Sequence, residues 1–138
     1  MHTTNYTNTF IQVAEDCPVR MGEIPPVKTN VKTVANLHFE MIAEKPYHYS
    51  SDDVIFNAHA IKNDISKNEL KAEREKFFSK GQACLRSSPL AKRYGWGIHH
   101  DGNSKVAMFA VDSKEYKKMK EDPNLKQTKA MRSKKAGK

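Results

Sequence analysis

The stretch YGWGIHHDGNSKVAMFAV, residues 94–111, reads as a β-hairpin. Its first strand runs over about 94–100, Asp101-Gly102-Asn103 supplies the turn, and its second strand runs over about 105–111. The second strand is apolar on both faces except at its start, which predicts a central place in its sheet. In the first strand Trp96, Ile98 and His100 share one face, and Gly95, Gly97 and His99 share the other. The glycine face is nearly bare, so it permits close approach by a helix or by a ligand.

Working back from the hairpin, Ser88-Pro89 pairs a capping hydroxyl with a proline at the first helical position, and Gly95 is placed to end one or two turns. Ser66 with Glu69 is a capping-box pattern that opens a helix carrying Leu70, Phe77 and Phe78 and ending near Gly81. Ser50 or Ser51 followed by Asp52 and Asp53 starts a helix that carries Val54, Ile55, Ala58 and Ile61, since hydroxyl and carboxylates meet the unpaired amides there. Thr33 caps a helix with Val34, Leu37 and Met41, which must stop before Pro46; a strand is the alternative. Residues 17–33 hold Pro18, Gly22, Pro25 and Pro26 without periodicity, a loop of a length suited to covering a site. Thr9 to Ala14 reads as a short strand with Ile11 and Val13 on one face.

Forward of the hairpin, Ser113 to Asp122 reads as a short basic helix stopped by Pro123, and Asn124 to Lys138 as disordered tail. The expectation is therefore α+β: one domain over 1–122, with three main helices and a small, mainly antiparallel sheet that includes a C-terminal β-hairpin. A lysine-rich tail follows over 123–138. A chain of 138 residues with 38% hydrophobic residues has enough apolar side chain for one core.

The net charge of +8 is unevenly placed. Residues 1–112 carry 14 Lys and Arg against 13 Asp and Glu, while residues 113–138 carry 10 against 3. The charge argument for nucleic acid is thus an argument about the tail and not about the domain. The first ten residues lack a basic and apolar leader pattern, and no stretch approaches a membrane span, so a cytoplasmic protein with no membrane partner is expected. Cys17 and Cys84 match no C-x-x-C spacing and read as free thiols, and Asn5-Tyr6-Thr7 is then a sequon without meaning.

The segment 84–103, CLRSSPLAKRYGWGIHHDGN, is the richest in chemistry. A helix start at Ser88 with Arg86, Lys92 and Arg93 suits a phosphate or carboxylate, which makes Arg86, Ser88, Arg93, Trp96 and His99 the candidate ligand-binding residues. The leading function is a small binding module with a cationic pocket for a small anionic ligand or partner. The alternatives are a small enzyme using His99, His100 or Cys84, and binding of nucleic acid or another polyanion through the tail, with Tyr94, Trp96 and Arg93 as a stacking surface beside it. No metal is expected, because adjacent residues of a strand point to opposite faces and His99 and His100 could not readily share an ion. No cofactor is expected either, since no Walker loop or G-x-G-x-x-G is present.

The words MHTTNY, NTFIQVAEDCPV, ANLHFEMI, EKPYHYSSDDVIF and FFSKGQACLRSSPLAKRYGWGIH are distinctive. They resemble a family of small bacterial proteins known as a domain of unknown function, over about residues 1–120. The resemblance implies a bacterial cytosolic protein and transfers no site residue. Residues after Pro123 lie outside the recognised pattern.

Overall fold

The computed structural model describes residues 1–28 and 30–133. Its elements are β1 (Thr9–Gln12), α1 (Val34–Glu44), α2 (Ser51–Lys62), α3 (Leu70–Phe77), α4 (Pro89–Lys92), β2 (Trp96–His100), β3 (Val106–Ala110), α5 (Lys114–Glu121) and β4 (Lys126–Lys129). Single turns of 3-10 helix precede α3 and α4, at Lys67–Glu69 and Leu85–Ser87. The class is α+β, with five helices and one four-stranded mixed sheet of order β3-β2-β1-β4.

The hairpin forms as read, with Ile98 opposite Met108 and Val106 opposite His100. Strand β1 pairs antiparallel with β2, so Ile11 faces Ile98 and Thr9 faces His100 across the ladder. That face of the sheet packs on the main core, where Ile11, Ile98, Leu85, Leu90, Val54 and Ile42 are almost wholly buried. Burying each such side chain contributes roughly 1.5–3 kcal/mol. The opposite face presents Phe10, whose ring meets Tyr116 of α5 edge-on at 5.0 Å. The sheet is thus covered on one side by α1 and α4 and on the other by α5.

Four helix starts follow from their capping residues. Thr33 and Ser50 each close a reciprocal box, with Asn36 and Asp53 respectively, while Ser88 and Ser113 each accept a hydrogen bond from a backbone N–H of the first turn. Ser66 behaves differently. Its hydroxyl donates to the Glu69 carboxylate at 2.7 Å instead of capping an amide, and the segment begins as a 3-10 turn, so α3 is shorter than the pattern suggests and stops at Phe77.

Four expectations need correction. The three main helices do not stand apart from the two short ones read from Ser88 and Ser113, because α5 is as long as α3. The hairpin does not end the sheet, since β4 follows it. Strand β3 lies at an edge and not at the centre. Its apolar faces are explained by cover: Val106 exchanges backbone bonds with Tyr47 and Tyr49, the Ala110 carbonyl accepts from Ser113 N–H, and Gly22 of the loop packs on Ala110.

The C-terminal run also departs from expectation. Lys126–Lys129 pairs parallel to β1 along its whole length, with Lys126 N–H donating to the Asn8 carbonyl and Ala130 N–H to the Gln12 carbonyl. The backbone of Met131 then donates to the Arg86 carbonyl, and Ala130 is buried. Disorder therefore does not begin at Asn124, and residues 134–138 lie outside the described residues. Ending the chain at Asp122 should cost about 2 kcal/mol or more, given about 0.5–1.5 kcal/mol net per lost hydrogen bond. Urea unfolding of the full and shortened chains checks this; equal midpoints would show the strand to be dispensable.

Candidate functional site

Two clefts meet along the start of α1. The first, of about 390 Å³, is lined mainly by apolar groups of Val34, Ile55, Ala58, Phe77 and Pro89, with His38, Cys84 and Ser88 among its polar members. The second, of about 370 Å³, is lined by Thr33, Ala35, Lys92, Arg93 and Tyr94. Val34, Ser87 and Pro89 border both. The clefts adjoin across these residues as the apolar lobe and the cationic lobe of a candidate groove. Neither Lys92 nor Arg93 has an ion-pair partner among the described residues, so the charge of that lobe is uncompensated.

The polar centre of the apolar lobe is a pair 50 residues apart in sequence. His38 projects from α1, is only 5% exposed, and places Nδ1 2.9 Å from Ser88 Oγ. The same oxygen accepts the Leu90 N–H that opens α4. Burial pushes the His38 pKa down to about 4, so the ring is neutral at physiological pH. Nearby, Cys84 Sγ lies 3.2 Å from the Tyr6 hydroxyl, whose pKa is pushed up to about 12, chiefly by burial and then by the thiol. His59 lines the same lobe and stacks at a tilt on Phe77, 4.5 Å between ring centres.

Of the residues singled out from sequence, Ser88 and Arg93 border this groove and the other three are engaged elsewhere. Arg86 donates through Nε to the Lys129 carbonyl at 2.7 Å, which makes it a clamp on β4. Trp96 donates to the Glu23 carbonyl at 2.8 Å and meets Phe39 edge-on, so it holds the 17–33 loop down. His99 lies on the opposite face of β2, with Nδ1 2.8 Å from the Tyr47 hydroxyl. Its pKa is lowered by burial, against the pull of Asp101 and Asp122. The start of α4 is not an open anion site either. Pro89 has no N–H, and Ser88 already occupies the Leu90 amide.

His100 is fully buried, with neither ring nitrogen bonded to a partner, and meets Tyr6 edge-on at 5.3 Å. It is a core residue. Among the described residues no group of three or more His, Cys, Asp or Glu side chains is placed to hold a metal ion. Likewise, no helix among them is long and apolar enough to cross a membrane. Of the basic C-terminal run, Lys129 and Arg132 approach Glu15 at 3.6 and 3.8 Å, so part of its charge is locally offset. His38 is the groove residue that local sequence reading overlooks. Its signal is its place four residues after Val34, on the same helix face.

Fold and groove define a small α+β domain with a half-apolar, half-cationic cleft. The chain belongs to the family of unknown function DUF6157, whose model matches residues 1–136. The match extends beyond Pro123 and takes in β4, in keeping with the pairing of that strand into the sheet. Neither the curated proteins nor the solved structures offered a match.

Proposed function

We propose that this protein is a binding module for a small amphipathic anion, with an aliphatic or aromatic body in the apolar lobe and a carboxylate or phosphate at Lys92 and Arg93. The observation that carries this reading is the meeting of the two clefts at Val34, Ser87 and Pro89. Concave, mainly apolar sites with a few convergent polar groups are where small ligands bind. Exposed cations at one end select the sign of the headgroup and leave the body to be chosen by fit. The free thiols Cys17 and Cys84 are compatible with a reducing compartment, which supports the reading of a bacterial cytosolic protein.

The test is a thermal-shift series from acetate to octanoate, with the matching alkyl phosphates and alkylammonium ions. Stabilisation should grow with chain length for the anions and be missing for the cations. A ligand at about 100 times its Kd adds about 2.7 kcal/mol, enough to move Tm by several degrees. Replacing Lys92 and Arg93 together by glutamine should abolish the response without lowering Tm of the free protein, because neither side chain is in the core. Equal response to anions and cations, or none to either, refutes the reading.

A further inference from the structure

We infer that His38 sets the ligand class of this groove: its Nε2–H donates to an uncharged oxygen acceptor, a ketone or ester carbonyl, carried in the apolar part of the ligand. The inference rests on the groove being the ligand site, and it adds which acids that site prefers.

A hydroxyl has one proton to give, and Ser88 Oγ already accepts the Leu90 N–H. Its proton therefore goes to the other atom within reach, His38 Nδ1 at 2.9 Å. An Nδ1 that accepts is unprotonated, and a neutral imidazole must then carry its proton on Nε2. The alternative, Nδ1–H donating to Ser88, would leave the serine proton without an acceptor inside a buried site, where such losses are costly.

Nε2 has no partner among the described residues. It is also not sealed in the core, since among the described residues the only buried side-chain nitrogens or oxygens without a partner are those of His100. His38 lines the apolar lobe, so this N–H is its buried donor, beside the more exposed ones of His59, Lys62 and Asn63. Burial keeps the ring neutral, and an uncharged donor in an apolar wall selects a neutral acceptor by hydrogen bonding. A plain alkyl chain would cover the N–H and leave it unpaired, the situation that discriminates most strongly between otherwise similar ligands.

Two measurements on the full chain test this. Long-range 1H–15N correlation of the imidazoles at pH 7 should show His38 as the Nε2–H tautomer, and an Nδ1–H spectrum overturns the inference outright. Binding of heptanoate is then compared with 4-, 5- and 6-oxoheptanoate. At least one oxo acid should bind about tenfold tighter than heptanoate, the amount one neutral hydrogen bond supplies. The preference should vanish in His38→Leu. Ser88→Ala keeps both lobes while removing the tautomer lock, so it should reduce the preference even if His38→Leu fails to fold. Equal binding of all four acids sinks the role of His38 but leaves the groove as an anion site. Binding of none defeats the groove reading and this inference with it.

Discussion

Stability will fall steeply as the pH drops from 6.5 to 4, because His38 and His100 are both buried and both hold their pKa down at about 4. In the unfolded chain each returns to the ordinary value near 6.5. Between the two values the unfolded chain binds protons that the folded chain refuses, so acid favours unfolding. The full stability is present above pH 6.5, and the loss is complete once pH passes below 4. Each ring contributes about 3 kcal/mol to the fall, a large share of the 5–15 kcal/mol typical of a domain. Urea midpoints measured from pH 8 to 4.5 should trace this decline, whereas a flat profile between pH 7 and 5 would contradict the burial.

The two histidines can be separated. His100 has the backbone of Ile98 and Thr9 beside it, but neither ring nitrogen is in good hydrogen-bond geometry with a partner, so the neutral ring gains little from its polar atoms. His100→Leu should therefore fold, be at least as stable as the native chain at pH 7, and lose about half of the acid dependence. The growing positive charge of the whole chain at low pH acts on both proteins alike, so the difference between the two profiles isolates the ring.

Gly97→Ala should destabilise the protein by about 1–3 kcal/mol, the usual penalty for forcing atoms into a filled core. A Cβ there would lie 2.5 Å from both the Phe10 and Tyr116 rings, which meet over the glycine. Trimming one ring supplies the control. Phe10→Leu alone also costs stability, yet the double variant with Gly97→Ala should be less damaged than the two single losses added together, because the clash is shared. Additive losses, or a penalty under about 0.5 kcal/mol for Gly97→Ala, would mean that α5 gives way.

That glycine also shows what could be read beforehand. Period two in residues 94–100 assigned the two faces correctly and marked one of them as open to close approach. A helix took the space, through Tyr116. Thr33, Ser50, Ser88 and Ser113 announced their helices because capping is a local interaction between a hydroxyl and amides two or three residues on. Strand β4 was illegible for the opposite reason. Its residues KQTK carry no apolar alternation, and the strand is held by main-chain bonds to β1 and by Arg86, none of which leaves a mark on side-chain pattern. Charged edge strands are common because they discourage further pairing. The groove was half visible: Ser88 and Arg93 stood out, but their companion His38 comes from a distant helix and joins them only in three dimensions.

The place of β1 between β2 and β4 also bears on how the chain acquires its fold. Thr9 pairs with His100 on one side and with Lys126 on the other, so the first strand made is the last to be flanked. Such distant pairings carry a large loop-closure cost before they return any energy, and they slow folding. Helices α1 and α2 can form early, from local capping and their mutual contact. During synthesis, though, Phe10 and Ile11 must wait for β4, more than a hundred residues later, to emerge before the sheet can close over them.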